Sequence, residues 1–382
     1  MNKALQRLFK IAQKPKRLVI GLMSGTSLDG LDIGLCRAEN NSISLLEFDT
    51  VSYPDSIQKE LNKVRSKEIV SLESICALNT EMAHFFGDSI NACLKSWRIE
   101  NQEIDLICSH GQTIYHAPER EVPSTIQIVD GDHIAQKTGI ITISDVRQKH
   151  IAVGGEGAPL AQYLDEFLFR HEHKTRVALN LGGIANFTWI PTSSEIQDMI
   201  STDVGPANSI INEATQKFLN LPFDEDGKIA MQGTPHSGLV KYLLLEPFFR
   251  KPFPKTTGQE LFNLDWVEEM MKSHNIELSN TDLVATVTEL TVKSVSRALD
   301  EFSLNQPFDL IASGGGVRNR AIMHGLERNL PKADFISIED FGLTSDSKES
   351  VLMAFIGDQI LHKEGFSFEG KPVHLGKISL PG

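Results

Sequence analysis

Three short runs of glycine and small polar residues lie where the chain passes between apolar segments. The first is Ser24-Gly25-Thr26-Ser27-Leu28-Asp29-Gly30, followed at once by Leu31 and Asp32. Small residues let a backbone approach a ligand closely, and its N–H groups can face phosphate oxygens. Thr26 and Ser27 add hydroxyl donors. Two hydroxyls and two carboxylates, Asp29 and Asp32, favour a binding turn over a plain hairpin bend. The second run is Leu181-Gly182-Gly183-Ile184-Ala185-Asn186. The third, Ser313-Gly314-Gly315-Gly316-Val317-Arg318-Asn319, follows an apolar stretch and suits a base or ribose packed against backbone. The second and third runs are weak signals alone, and three glycine turns in this order are far more specific than any one.

Other residues could act beside them. Asp203, in Thr202-Asp203-Val204-Gly205-Pro206-Ala207-Asn208, sits beside a Gly-Pro turn that can hold a carboxylate rigidly. A helix cap or turn aspartate is the plainer alternative, with equal weight. His110, Gln112 and His116 share a polar stretch after the apolar segment Asp105–Cys108, read as a loop. A metal site is a poor reading of it, because no third ligand has suitable spacing. Hydrogen bonding to a polyhydroxylated substrate suits it better. Asp145-Val146-Arg147 reads as a buried ion pair or a ligand-orienting pair, the structural pair being the more usual outcome. His171 and His173 look like a solvated face. There is no GxxxxGK[ST], no GxGxxG opening a helix after a strand, no HExxH and no GxSxG.

The elements that must position these residues alternate. Strand–glycine turn–strand occurs near 18–35 and again near 176–190. Further strands fall at 105–108, 125–129, 140–143 and 308–312, with helices at 56–66, 71–97, 158–170, 207–219, 283–302 and 348–363. Alternation of this kind is α/β, and the repeated hairpin suggests two similarly built halves. The chain has 382 residues, 41% of them hydrophobic, which suits two domains. A net charge of −13 argues against nucleic-acid or anionic-membrane partners, which need clustered positive charge, but permits a small anion in a local pocket. Cys36, Cys76, Cys93 and Cys108 form no CxxC motif and read as free thiols in a reducing compartment. No span looks transmembrane. Residues 1–17 carry six basic residues and no acid, and read as a short amphipathic helix on the surface.

Taken together, these motifs resemble the anhydro-N-acetylmuramic acid kinase family. The resemblance rests on the run Gly21–Gly30, Ser109-His-Gly-Gln-Thr-Ile114, Thr125–Ile128 with Asp130-Gly131, and Gly154-Gly-Glu-Gly-Ala-Pro-Leu160. It continues through Leu179–Asn186, Asp203 with Gly205-Pro206, Leu261-Phe-Asn263, Thr288-Glu-Leu-Thr291 and Ser313–Asn319. Val129, Val146 and Val204 stand where the family usually has Gly, Phe and Thr.

The resemblance implies a two-domain actin-like ATPase (ribonuclease H-like) fold with its active site in the interdomain cleft. Residues 1–140 with 348–382 would form the first domain, the last helix returning to it, and 141–347 the second. It implies ATP with Mg²⁺, the substrate 1,6-anhydro-N-acetylmuramic acid, ring opening by water, phosphorylation of O6, and a cytoplasmic homodimer in murein recycling. Gly25 through Asp32 would bind the nucleotide, with Asp29 and Asp32 facing Mg²⁺ directly or through water. Gly182 and Gly183 would give the second phosphate turn, and Gly314, Gly315 and Gly316 the adenosine turn. Asp203 matches the family's catalytic aspartate, Glu349 is the candidate second carboxylate, and His110, Gln112, Asp130 and Arg147 lie on the substrate side. A kinase for another anhydro-sugar such as levoglucosan is the nearest alternative. A non-catalytic actin-fold nucleotide-binding regulator is the other.

Overall fold

The computed structural model of the chain describes residues 2–382 except 26–27, 29, 119, 159, 193–197, 304–305, 363–365 and 369–370. The chain divides into two compact units, Met1–Leu164 with Ser347–Gly382, and Asp165–Asp346.

In the first unit, α1 (Lys3–Ala12) leads into an antiparallel meander of β1 (Lys16–Ser24), β2 (Gly30–Glu39) and β3 (Ser42–Ser52). Helices α2 (Asp55–Val64) and α3 (Leu72–Trp97) precede β4 (Leu106–Ala117) and β5 (Ser124–Ile128). Next come α4 (Gly131–Thr138), β6 (Thr142–Ser144) and α5 (Gln148–Ala152). β4 lies parallel to β1, and β6 parallel to β4, so the order is β3-β2-β1-β4-β6. β5 pairs with β4 off this path. The apolar run of β1 is buried on both faces, as a strand covered by helices on each side must be. Ile20 and Leu22 pack into one cluster with Leu61, Leu78, Met82 and Phe86 of α2 and α3. The sequence reading ends this unit at 140. β6 lies beyond that point yet pairs with β4, so the sheet itself carries the unit past 140, and the unit as a whole runs to Leu164.

The second unit repeats the plan. After α6 (Ala161–Phe169), the strands β7 (Arg176–Leu181), β8 (Ile184–Ile190) and β9 (Ile200–Pro206) form an antiparallel meander. Helices α7 (Asn208–Leu219), α8 (Ser237–Leu243), α9 (Leu264–Ser273) and α10 (Asn280–Ser303) follow. β10 (Phe308–Ser313) lies parallel to β7, and beyond α11 (Arg320–Asn329) the strand β11 (Ala333–Ile336) lies parallel to β10. The order β9-β8-β7-β10-β11 has the strand sequence and directions of β3-β2-β1-β4-β6. This doubled plan is the ribonuclease H-like arrangement of the actin-like ATPases. α10 is buried along most of its length, and several of its hydroxyls donate within the helix, Thr286 to the Asp282 carbonyl at 2.6 Å and Thr288 to that of Val284 at 2.8 Å, whereas the buried Ser296 hydroxyl has no partner among the described residues.

The chain then returns to the first unit as α12 (Lys348–His362), β12 (Phe366–Phe368), β13 (Lys371–Val373) and β14 (Lys377–Ser379). β14 closes the far edge of the first sheet against β6. α12 lies on β1 and β2, where Gly21 and Gly34 are register partners. A Cβ at Gly21 would fall 1.8 Å from the Ser350 carbonyl oxygen and 2.5 Å from the Ala354 nitrogen. Glycine is what lets the helix backbone rest on the strand. A buried ion pair, Arg17 Nε to Asp358 Oδ1 at 2.6 Å, ties the helix to the start of β1.

Candidate active site

The first glycine run joins β1 to β2. Thr26, Ser27 and Asp29 lie outside the described residues. Leu28 is buried with φ at 58°, and Gly30 and Leu31 are buried at the start of β2. Asp32, opposite Met23, accepts a hydrogen bond from Thr50 Oγ1 at 2.7 Å. The entry to the turn is fixed from β4. Ser24 Oγ is hydrogen-bonded to Tyr53 Oη at 2.5 Å and donates to Gln112 Oε1. Gln112 Nε2 donates to the Gly25 and Thr113 carbonyls, each at 3.2 Å. Gln112 is fully buried, and both ends of its amide hold the protein's own chain.

His110, Gln112 and His116 are not on a loop. β4 continues to Ala117 because, on leaving β1, it gains β5 as a new partner, with Gln112 opposite Ile128. The change is marked by a register shift between Leu22 and Ser24. His116 is exposed on this strand, whereas His110 is buried. Arg147 Nε donates to His110 Nε2 at 2.8 Å, and His110 Nδ1 faces the Gly111 carbonyl at 3.0 Å. An accepting Nε2 requires the neutral ring. Burial, with the Arg147 charge beside it, pushes the His110 pKa down to about 3. Arg147 also donates through NH1 to the Gly157 carbonyl at 2.6 Å, so the Gly154–Gly157 run is anchored on it. Burial lowers the Arg147 pKa to about 10, and the charge of Glu349, in the first turn of α12, opposes that shift.

Asp145 and Arg147 do not pair. Asp145 adopts φ of 55°, and its carboxylate takes Lys377 of β14 at 2.5 Å, while the buried Val146 separates it from Arg147. Asp130 caps α4, with Oδ1 accepting from the Asp132 N–H at 2.8 Å. The preceding Val129 has φ of 96°, a left-handed conformation that a β-branched residue rarely takes, and its N–H donates to Asn79 Oδ1 at 2.8 Å. The glycine usual in the resembling family would adopt that conformation without strain.

In the second unit, the Gly182–Gly183 turn between β7 and β8 is clasped by the start of α7. The Asn208 N–H donates to the Gly182 carbonyl at 3.0 Å, and the Ala207 N–H to that of Gly183 at 2.9 Å. Asn208 Nδ2 donates to the Leu181 and Gly182 carbonyls at 2.9 and 2.8 Å, and Ser209 Oγ to Gly183 at 2.9 Å. The third run lies against the same place. Gly314 has φ of 85°, and a Cβ on it would stand 2.6 Å from Asn180 Oδ1 and 2.8 Å from the Leu181 carbonyl. Gly316 approaches Leu181 and Asn208 Nδ2, whereas a Cβ on Gly315 would meet nothing within 4 Å. The run does not open α11 directly. It forms a short 3-10 turn, Gly315–Arg318, after which Asn319 caps α11.

Asp203 lies within β9, not at a turn, opposite Asn186 of β8. Its N–H donates to the Lys255 carbonyl at 3.0 Å, and its Oδ2 accepts the Thr257 N–H at 2.9 Å. Among the described residues Oδ1 accepts no hydrogen bond. Burial pushes the Asp203 pKa up to about 6; the Thr257 N–H opposes this and the Glu260 charge adds to it. Thus His110, Arg147, Gln112 and Asp32 belong to the first unit. Gly182, Gly183, Gly314–Gly316 and Asp203 gather in the second. Sequence reasoning missed Lys255 and Thr257, whose segment carries no motif of its own. It also missed the clasp by Asn208, whose only signal is its place at the head of a helix.

The chain matches the family model described as anhydro-N-acetylmuramic acid kinase over residues 17–365. It is 41% identical over 401 aligned positions, covering 100% of both chains, to the anhydro-N-acetylmuramic acid kinase of Pseudoalteromonas atlantica. It is 36% identical to that of Caldanaerobacter subterraneus, over 98% of this chain and 100% of the relative. Among solved structures, the activator of the 2-hydroxyisocaproyl-CoA dehydratase from Clostridium difficile with bound ADPNP aligns with a TM-score of 0.44 at 11% identity. That alignment spans 90% of this chain and 95% of the other. A ROK family glucokinase from Streptomyces griseus in complex with glucose and AMPPNP aligns at 0.38 and 11%, over 90% and 99%. The family match over most of the chain and relatives of this identity show that the chain belongs to the anhydro-N-acetylmuramic acid kinase family.

Proposed function

We propose that this protein is an ATP-dependent kinase acting on 1,6-anhydro-N-acetylmuramic acid. It adds water at C1, opens the anhydro ring and phosphorylates O6, giving N-acetylmuramic acid 6-phosphate and ADP in murein recycling. Beyond family membership, the observation that carries this reading is Asp203, a carboxylate with one oxygen held by a backbone N–H and its pKa near 6. A general base works best with a pKa close to the operating pH.

The residues fit a nucleotide with Mg²⁺. Gly182 and Gly183 turn their carbonyls onto the start of α7, and Gly315 leaves its space open. Among the described residues no three His, Cys, Asp or Glu converge on one point. Mg²⁺ needs no such cage, since it commonly takes one or two carboxylates and completes its shell with water and phosphate oxygens. Asp32, with Asp29, suits that donor set. The bound Mg²⁺-nucleotide supplies the γ-phosphoryl group and offsets its charge.

Asp203 Oδ1 receives a proton from the water whose oxygen bonds to C1. The C1–O6 bond breaks with its electron pair on O6, which then bonds to the γ-phosphorus as ADP leaves. O6 needs no proton in this sequence. Gly25, Thr26 and Ser27 cradle the β- and γ-phosphates, Gly182 and Gly183 form the second phosphate turn, and Gly314–Gly316 hold adenosine. Glu349 is the second carboxylate. His110 and Arg147 face the sugar, the neutral imidazole and the guanidinium acting as one hydrogen-bonded unit. Gln112 and Asp130 stand one step back, the first holding the nucleotide turn and the second capping α4. Two further implications of the resemblance, a homodimer and a cytoplasmic setting, belong to the same proposal. Four unpaired cysteines suit a reducing compartment.

The test is the product formed from anhydro-N-acetylmuramic acid and ATP in ¹⁸O-labelled water. Label at C1 together with a phosphate at O6 is expected, and an unlabelled product sinks the coupled mechanism. Asp203→Asn is expected to lower kcat by about 10²–10⁴-fold, and a loss below about tenfold removes Asp203 as the base.

A further inference from the structure

Lys255 is a buried lysine with no acidic partner in contact among the described residues. Its ammonium instead donates to the carbonyls of Phe248 at 3.2 Å, Lys251 at 3.4 Å and Phe249 at 3.5 Å. It also lies 4.2 Å from the Phe253 ring centroid and 4.8 Å from that of Phe248. A buried ammonium is costly unless its donors are satisfied, so the fold around 248–253 is arranged to satisfy this one. The backbone of the same residue is tied in the opposite direction. The Lys255 N–H donates to Thr202 Oγ1 at 3.0 Å, and its carbonyl accepts the Asp203 N–H at 3.0 Å. Two residues later the Thr257 N–H reaches the Asp203 carboxylate.

We propose that Lys255 is a positioning residue for Asp203, its side chain gathering residues 248–251 so that the following backbone fixes β9 and presents the Thr257 N–H to the carboxylate. The inference rests on the reading of Asp203 as the base, but its geometry does not touch the sugar. The groups facing the two residues are few. Glu260 faces Asp203. Glu301 and Arg297 of α10, with Lys251, face Lys255, Glu301 favouring its charge and the two cations opposing it. Removing the ammonium therefore acts on Asp203 through the backbone at Thr257, not through a direct charge contact. Loss of that N–H bond weakens the carboxylate relative to the acid and moves its titration upward.

The test is Lys255→Met in the full-length protein, with Thr202→Val as a second variant that removes the acceptor of the Lys255 N–H and so loosens its backbone while keeping the lysine. In each, the acid limb of the kcat–pH profile is expected to move up by about one pH unit. kcat at its plateau is expected to fall about tenfold or more. The KM for ATP is expected to stay within about twofold, since the nucleotide turns are untouched. Amide hydrogen exchange at Thr257 is expected to quicken by about tenfold or more, a readout independent of activity. An unmoved acid limb with unchanged Thr257 exchange overturns the positioning role, and if Lys255→Met does not fold the same two readouts on Thr202→Val decide. Retained activity in Asp203→Asn would instead overturn the base assignment, while Thr257 exchange would still decide whether Lys255 holds that segment.

Discussion

Asp203 is a carboxylate whose neutral form is favoured by burial and by Glu260, with one N–H bond pulling the other way. As the proposed base, Asp203 must be ionised to take a proton from water. Below about pH 6 the acid form predominates, so kcat is expected to fall about tenfold per pH unit as pH drops past the folded pKa. A pH–rate profile at saturating substrates checks this, and an acid limb near pH 4 would show the carboxylate to be solvated in the working enzyme. His110 does not share that window. Its pKa, held near 3, keeps the ring neutral throughout the range in which Asp203 titrates. Residue types and their order suffice to mark Asp203, the three glycine runs and the His110 region. They do not mark the partners. Nothing in the sequence separates Gln112, whose amide holds Ser24 and Gly25, from a ligand-facing residue, because hydrogen-bond partners more than 80 positions away are set by packing.

Elements were legible where periodicity is strong and misleading where a strand changes partner. The apolar run of β1 and the long buried α10 declared themselves. The polar stretch Ser109–Gln112 reads as a loop, yet it is strand because β5 takes over pairing where β1 ends. The seat of α12 on β1 and β2 gives a test at this scale. Gly21→Ala sets a methyl group against helix backbone at 1.8 Å, which neither strand nor helix can yield cheaply. Gly34→Ala meets the Ser350 side-chain hydroxyl at 2.5 Å, which can move aside by giving up its 2.9 Å bond to the Ser347 carbonyl. Urea denaturation is expected to show a loss of about 3 kcal/mol for Gly21→Ala and about 1 kcal/mol for Gly34→Ala. Equal losses would mean that the helix does not rest on Gly21 as described.

At the scale of the whole molecule, a chain of net charge −13 is expected to bind a triphosphate. The resolution is local, since backbone N–H groups at glycine turns together with Mg²⁺ act over a few ångströms while the global field is screened within about 10 Å at moderate salt. The KM for ATP is therefore expected to change less than about threefold between 50 and 200 mM salt, whereas a basic polyanion-binding surface loses about 10³–10⁵ in affinity over that range. A large salt-dependent rise in KM would place the nucleotide on a charged surface instead of in the turns.

Composition, the repeated strand–glycine turn–strand and the order of the motifs determined an α/β chain of two similar halves and the chemistry its residues favour. Local information suffices for these, because periodicity and turn residues act over a few positions. Tertiary structure decided what long-range contacts decide. It carried the first unit past residue 140 through β6, turned Asp145 to Lys377 and Arg147 to His110, and made Lys255 the buried anchor of the segment holding Asp203. Each of these depends on which distant backbone fills the space beside a side chain, and on the need of every buried polar group for a partner.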